Sequence, residues 1–516
     1  MGVTVKVPTP TDLAASYLAE SLWNSAGLRA GIEHIAEIDP QRLAIADHSE
    51  SISYEQLRIR VEHVIGVVRG RGVAPGDAVI LIAPNSVPAA VAFAALVRCA
   101  VVVVALDRRC GAADVAHAIT ATRARLVIAP EGLVETLRLS EHEVDVVGLD
   151  DIQSGPESDP DWEEPDKSAA RIVLFTSGTT SQPKGVVHTL HTFGGGVRNL
   201  ATAFGLGPGD APFLSSPLAS ITGLSQLHMS LSGNHIVLDD NFEPTRSVAM
   251  LERYGATLLG GAPILLEMLF SEYARQGKQS SSLSVVALGG TMIPRALLDI
   301  AVSRFHIKPV RVYGSSEVPI HTATKLDDPI ALGLADEGLP LNGGEISIGS
   351  AADQSELLVR GPNMFQGYLD DAHNAEAFEH GWFRTGDLAE IAAGRLAIRG
   401  RLKEVVARKG MKISLAEIDA AVTGIPDAIE WASFGIPDRE TGEHLVLAIR
   451  ADKPDALDYD VVKAFLLGHG VARGKLPEQV DVWTEPLPRT PSGKIQRNRL
   501  PSPGGDVRTT VAPRLQ

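Results

Sequence analysis

The sequence predicts an α/β protein: a large N-terminal domain of mixed and parallel sheets with helices plus a β-rich subdomain, then a small α+β domain. Three observations predict it. Short β-branched runs alternate with amphipathic stretches through the first three fifths of the chain, the pattern of largely parallel sheets covered by helices. From Glu356–Arg360 to near Arg401 the sequence becomes richer in strand-forming residues. Beyond it, helical and strand patterns mix within a short span. The boundary is placed between residues 401 and 402, so that 1–401 and 402–516 are the two expected domains.

Taken in order, buried strands are expected at Ala78–Ile82, Val101–Ala105, Leu126–Ala129, Ile172–Phe175, Ile236–Leu238 and Val285–Leu288. The most apolar stretch, Pro88 to Leu106, carries Arg98 and changes from Ala-rich to Val-rich. It reads as a helix followed by a buried strand rather than a membrane span. Asp150–Lys167 is acidic and Pro-containing and reads as a surface loop. The end of the chain, Pro501 to Gln516, reads as a loosely held tail.

A chain of 516 residues suggests two to four domains or subdomains. Its 44% apolar content gives ample core. A formal charge of −16 argues against a nucleic-acid partner, which needs a basic face. Cys99 and Cys110 cannot build a disulfide framework or a four-cysteine metal site, which points to a reducing, cytoplasmic setting. No secretory signal is seen, and Lys6 stands where the myristoylation pattern after Gly2 wants Ser or Thr.

The chemistry starts where the strand Ile172–Phe175 runs into Thr176-Ser177-Gly178-Thr179-Thr180-Ser181-Gln182-Pro183-Lys184-Gly185. Hydroxyls, glycines and one lysine in ten residues suit a polyphosphate cradle: glycines let N–H groups approach the oxygens, hydroxyls donate, and lysine adds a charge. The Walker loop fails, because Pro183 and Gly185 flank Lys184. Four more segments follow: Tyr313-Gly314-Ser315-Ser316-Glu317, Gly381-Trp382-Phe383-Arg384-Thr385-Gly386-Asp387, Gly400-Arg401-Leu402-Lys403-Glu404 running on to Ser414, and Pro491-Ser492-Gly493-Lys494-Ile495-Gln496-Arg497.

In this order the segments resemble the motifs of the adenylate-forming superfamily, which includes acyl- and aryl-CoA synthetases, peptide-synthetase adenylation domains and firefly luciferases. The likeness covers Thr176 to Arg497, and more weakly Ser53–Leu57, and is nearest in kind to an acyl-CoA synthetase. It implies ATP, Mg²⁺ and coenzyme A as cofactors and co-substrate, a carboxylic acid as substrate, and an acid–thiol ligase that forms acyl-AMP and pyrophosphate before the thioester. Lys494, Thr179, Lys184 and Glu317 are the implied catalytic residues, with Glu317 also ligating Mg²⁺. Thr176, Ser177, Gly178, Thr180, Gly290, Thr291, Tyr313, Gly314, Ser316, Asp387 and Arg401 are the implied nucleotide-binding residues. By that likeness Tyr313 stacks near the adenine, Ser316 donates to the α-phosphate and Asp387 accepts from the ribose hydroxyls. Lys403 falls on the hinge about which the small, mobile C-terminal domain of relatives rotates. Ser181, Glu404 and Leu415 are mild departures.

A carboxylate attacking a polyphosphate is anion meeting anion, so positioned cations must offset repulsion of about 4 kcal/mol per unit-charge pair at 4 Å and an effective dielectric near 20. Coenzyme A also carries phosphates, and Arg408, Lys409, Lys412, Arg473 and Lys475 are the basic residues expected to line its entry. For the acid, the expected pocket residues are Ser220, Thr222, Gly223 and Gly289. Relatives carry an aromatic and a histidine where Ala219 and Ser220 stand, and Leu190 also replaces a histidine. The missing bulk leaves space for a larger or ring-bearing acid. The lack of an aspartate to pair with an ammonium disfavours an amino acid. A metal held by His188 and His191 lacks a third ligand. The alternatives kept open are a ligase loading a carrier protein, a non-catalytic nucleotide-binding regulator and, more distantly, a luciferase-like oxygenase; a homodimer is also kept open.

Overall fold

A computed structural model describes residues 2–23, 28–154, 166–176, 183–261, 263–280, 282–289, 295–329, 335–351, 353–402, 404–408, 411–438, 442–489, 495–501 and 507–511. It divides into two compact units. One is Met1–Ser347 with Leu358–Arg384 and Ala392–Leu396; the other is Ile348–Leu357 with Thr385–Ile391 and Ala397–Gln516.

In the larger unit two sheets carry the α/β pattern expected from the sequence. Among the described residues, a six-stranded sheet runs in the order Asp145–Gly148, Leu126–Ala129, Ala78–Ala83, Val102–Asp107, Ala170–Thr176, Lys184–Thr189. All neighbours are parallel except the last pair. The strand Ala78–Ala83 shows why its sequence is continuously apolar. Val79 and Leu81 enter one core while Ala78, Ile80 and Ile82 enter another, so both faces are buried. A nine-stranded sheet is parallel through its middle, where Pro212–Leu214, Leu258–Gly261, Val285–Gly289 and Lys308–Tyr313 lie among the central strands.

The helices Tyr54–Gly70 and Val87–Arg98 contribute to one core with residues of both sheets. Ser53 and Gln56 start the first of them as a reciprocal capping box, which explains the Ser53–Leu57 pattern. Val87–Arg98 followed by Val102–Asp107 matches the expected helix and strand of the apolar stretch. Among the described residues no helix is long and apolar enough to cross a membrane.

The smaller unit has its own core, with Leu445, Leu447 and Ile449 of the strand Gly442–Ala451 packed with the helices Leu415–Val422 and Tyr459–Gly468. Leu415 is the first helical residue behind the N-cap Ser414. That position favours proline without requiring it, so the departure at Leu415 is mild. The tail corrects the sequence expectation in part. Val507–Val511 is a strand, antiparallel to Gln479–Trp483, with Thr509 Oγ1 donating to Asp481 Oδ1 at 2.7 Å. Its β-branched Val-Arg-Thr-Thr-Val run follows a Pro- and Gly-containing segment, and that composition masked it.

Candidate nucleotide and acid site

The hydroxyl-rich loop has both its ends fixed. Thr176 ends one strand and Lys184 begins the next, and the two residues are cross-strand partners in an antiparallel pair. Of the loop's expected ligands, Ser177, Gly178, Thr179 and Thr180 lie outside the described residues, as do Gly290, Thr291, Lys403, Lys409 and Lys494.

Backbone hydrogen bonds join the Glu317 motif to that hairpin through residues 365–369. The segment Phe365–Leu369 lies against the strand Lys184–Thr189, with Gln366 N–H donating to Val187 O at 2.8 Å and Leu369 N–H to Gly185 O at 2.8 Å. Phe365 N–H in turn donates to Glu317 O at 2.8 Å. Tyr368 completes the connection: its hydroxyl donates to Glu317 Oε1 at 2.9 Å, and the Lys184 ammonium sits 4.9 Å from the centre of its ring. One phenol therefore touches both a lysine and a carboxylate predicted from separate motifs. Burial, and next the neighbouring Glu317 carboxylate, raise the Tyr368 pKa, so the phenol stays a donor.

His188 holds the segment that carries Glu317. It is fully buried; Nε2 lies 2.7 Å from Ser316 O and Nδ1 3.0 Å from Thr192 Oγ1. A carbonyl can only accept, so Nε2 carries the proton and the Thr192 hydroxyl donates to Nδ1. Burial holds the pKa down to about 4, and the ring is neutral. His191 stacks on Trp23 at 4.6 Å. The pair thus faces different partners, and among the described residues no group of three or more His, Cys, Asp or Glu could hold a metal ion.

Gly314 stands in a turn where a Cβ would come within 2.5 Å of Ile320 N, so only glycine fits. Tyr313, one residue earlier, ends the strand Lys308–Tyr313, and Gly289 ends the adjacent parallel strand. The carboxyl ends of parallel strands are where open α/β sheets place ligands. On the acid side, Ser220 caps the helix Ile221–Ser230. Its Oγ accepts from Gly223 N–H at 3.0 Å and donates to Pro217 O at 2.7 Å. A Cβ on Gly223 would approach Pro217 O to 2.4 Å, which explains that glycine by packing. Thr222 is half-buried in the first turn of the helix.

In the smaller unit Arg401 Nε donates to Asp387 Oδ1 at 2.9 Å, so two residues predicted from different motifs meet. Arg489 and Ile495 face each other across an antiparallel bridge on either side of 490–494, and Arg497 binds Asp419, Ser433 O and Glu404. Arg489, Ile495 and Arg497, on the two sides of 490–494, are held in this way. Of the basic residues expected at a coenzyme A entry, Arg408 is tied to Glu478 and Leu476 O, and Lys475 to Glu417. Sequence reasoning missed Tyr368 and the anchoring role of Arg497. The signal for the first was Met364-Phe365-Gln366-Gly367-Tyr368, too short to single out alone.

A model of AMP-binding enzymes matches residues 32–369. That span is well over half of the chain and holds the hairpin, the Glu317 loop and Tyr368. The chain belongs to the AMP-binding enzyme family. Relatives of this family member include the medium-chain fatty-acid–CoA ligase of Escherichia coli (strain K12), 29% identical, with 94% of this chain and 91% of that one covered. Another is the 2-hydroxy-7-methoxy-5-methyl-1-naphthoate–CoA ligase of Streptomyces carzinostaticus, 26% identical, with 98% of each covered. The fold matches the o-succinylbenzoate coenzyme A synthetase MenE of Bacillus subtilis, solved in complex with ATP and magnesium ion, at a TM-score of 0.82 and 22% identity, covering 92% and 99%. These relatives bear out the expected enzyme class, an adenylate-forming acid–thiol ligase.

Proposed function

We propose that this AMP-binding enzyme is an ATP-dependent acyl-CoA synthetase. The observation that carries the reading is the convergence of Lys184, Tyr368, Glu317 and Ser316 at the base of the hydroxyl-rich hairpin. A carboxylate oxygen of the acid attacks the α-phosphorus of ATP, forming acyl-AMP as the bond to pyrophosphate breaks. The thiolate of coenzyme A then attacks the acyl carbon, and AMP leaves with the shared electron pair.

Glu317 fits a hard cation. Tyr368 is the one protein partner of its carboxylate among the described residues and holds a single oxygen, which leaves the other for Mg²⁺. When bound, that ion supplies charge stabilisation at the phosphates. Lys184, Thr176, Ser177, Gly178, Thr179 and Thr180 bind the phosphates, and Ser316, its carbonyl held by His188, donates to the α-phosphate. Tyr313 and Gly314 border the adenine, with Gly290 and Thr291 nearby. Asp387, oriented by Arg401, accepts from the ribose. Lys494 lies against the α-phosphate during adenylation and withdraws for thioester formation as residues 402–516 turn about Lys403.

Thr222, Gly223 and Gly289 border the acid, and the Ser220 hydroxyl orders the helix that carries Thr222 and Gly223. Two unpaired cysteines agree with a cytoplasmic setting. Pyrophosphate release with ATP, Mg²⁺ and a panel of acids, with and without coenzyme A, tests the reading. One acid should drive pyrophosphate and a CoA thioester, and Lys494→Ala should lower the first step about 10²–10³-fold. Acyl-AMP without thioester would point to a carrier protein as acceptor. No pyrophosphate from any acid would leave a nucleotide-binding regulator. Sedimentation of the same preparation decides between monomer and homodimer.

A further inference from the structure

The helix Ile221–Ser230 is buried almost throughout, yet it is not apolar on all faces. Thr222, Gln226 and Ser230 recur at intervals of four and share one face. Gln226 is 1% exposed and Ser230 fully buried, and among the described residues neither Gln226 Oε1 nor Ser230 Oγ has a hydrogen-bond partner. A buried amide oxygen without a donor is a standing cost that native proteins rarely carry without a reason. His228 also has a bare Nδ1, but it lies on another face, edge-on to Phe193 at 5.3 Å, and belongs to the core.

The position of Gln226 says what the amide is for. Its Nε2 lies 3.3 Å from where a Cβ on Gly260 would stand, so it reaches the strand Leu258–Gly261 one residue before that strand ends. Gly260 pairs with Ala287 of the strand that ends at Gly289, in the parallel part of the nine-stranded sheet. Gln226 therefore sits one helical turn inward from Thr222, beside the carboxyl ends of the strands, where the acid is placed.

We propose that Gln226 reads a polar substituent on the acyl group, so that the preferred acid carries a hydrogen-bonding group such as a hydroxyl or carbonyl away from its carboxylate. This rests on the acyl-CoA synthetase reading and deepens it. A plain hydrocarbon acyl group would leave the amide unpaired in the complex, whereas a hydroxyl can donate to Oε1 or accept from Nε2. Sites that hydrogen-bond a substrate group discriminate against analogues lacking it far more than apolar pockets do.

The test is kcat/KM for pyrophosphate release with matched acids, 3-phenylpropanoate against 3-(4-hydroxyphenyl)propanoate and octanoate against 8-hydroxyoctanoate. The wild type should favour the hydroxylated member of at least one pair by about tenfold or more. Gln226→Leu and Gln226→Met should each bring that ratio to near unity by improving the plain acid. Gly260→Ala, which crowds the amide, should reduce the preference without abolishing it. Ligand-free Gln226→Leu should also melt at a higher temperature than wild type, because it removes an unsatisfied buried group. A preference for the plain member in both pairs, or a hydroxyl preference that survives both substitutions, would overturn the proposal and leave the synthetase reading intact. No pyrophosphate from any of the four acids, with a wider panel also silent, would sink both.

Discussion

Two regions of the larger unit handle buried polarity in opposite ways. Around the hydroxyl-rich hairpin, His188 uses both ring nitrogens, the Tyr368 hydroxyl is spent on Glu317, and the Ser316 carbonyl is capped. Along the helix Ile221–Ser230, Ser225, Gln226 and Ser230 each bury a polar atom that has no partner among the described residues, and His228 buries another against the core. Among its described residues the first region is held by the protein's own contacts. That arrangement suits charge stabilisation, where donors must not need to reorganise as charge moves. The second is incomplete without something else, as expected of a pocket whose ligand supplies the missing partners. On the proposed reading the difference separates machinery common to many acids from features that select one.

The largest expected effect probes the satisfied region. Glu317→Gln removes the charge while keeping the shape, and should lower pyrophosphate release by about 10²-fold or more and raise the Mg²⁺ concentration needed for half-maximal rate. Tyr368→Phe should cost less, about tenfold, because it loses the one positioning contact that the carboxylate has among the described residues and keeps the ring under Lys184. Equal effects from the two substitutions would mean that Tyr368 itself acts on the reacting groups, and the comparison would need redrawing.

Next come the two buried histidines, one from each region. Burial holds both pKa values at about 4, against an ordinary 6.5. As pH falls from 6.5 to 4 the unfolded chain takes up protons that the folded one refuses. Each histidine should therefore cost up to about 3 kcal/mol of stability across that window and nothing above it. Denaturant titrations should separate them. His188→Leu takes the donor from the Ser316 carbonyl, while the Thr192 hydroxyl keeps its contacts with Thr189, and should cost about 2 kcal/mol at pH 7. His228→Leu should be close to neutral at pH 7, and either variant should lose its share of the acid-induced fall. Similar losses at pH 7 would show that the two regions do not differ as described.

The smallest effect concerns Ser220. Its hydroxyl is a helix cap, so Ser220→Ala should cost about 1 kcal/mol and Ser220→Asn should recover most of it. Failure of the asparagine to recover stability would argue that the hydroxyl has another task in the pocket.

How far the sequence could be read follows the same division. The buried parallel strands were legible because both faces are apolar: Leu126–Ala129 and Ile236–Leu238 occur at the expected residues, and the others within one or two. The motif order singled out Lys184, Ser316 and Glu317, which lie together, because the loop expected to cradle phosphate has an unusual local composition. Tyr368 was not legible, since its partners lie 51 positions away for Glu317 and across a strand for Lys184. Gln226 was hidden for a different reason. A glutamine in an amphipathic pattern reads as surface, and only packing against Gly260 reveals that it is buried. Val507–Val511 shows the converse, a strand whose pairing with Gln479–Trp483 outweighs the Pro- and Gly-containing sequence before it.

The central claim is that the acid passes through an acyl adenylate on the way to a CoA thioester. The most direct measurement uses a substrate acid with both carboxylate oxygens labelled with ¹⁸O, together with ATP, Mg²⁺ and coenzyme A, and reads the products by mass spectrometry. Attack of the carboxylate on the α-phosphorus predicts AMP carrying one ¹⁸O, a thioester retaining the other, and unlabelled pyrophosphate. Unlabelled AMP, or ADP with the label in inorganic phosphate, would contradict it.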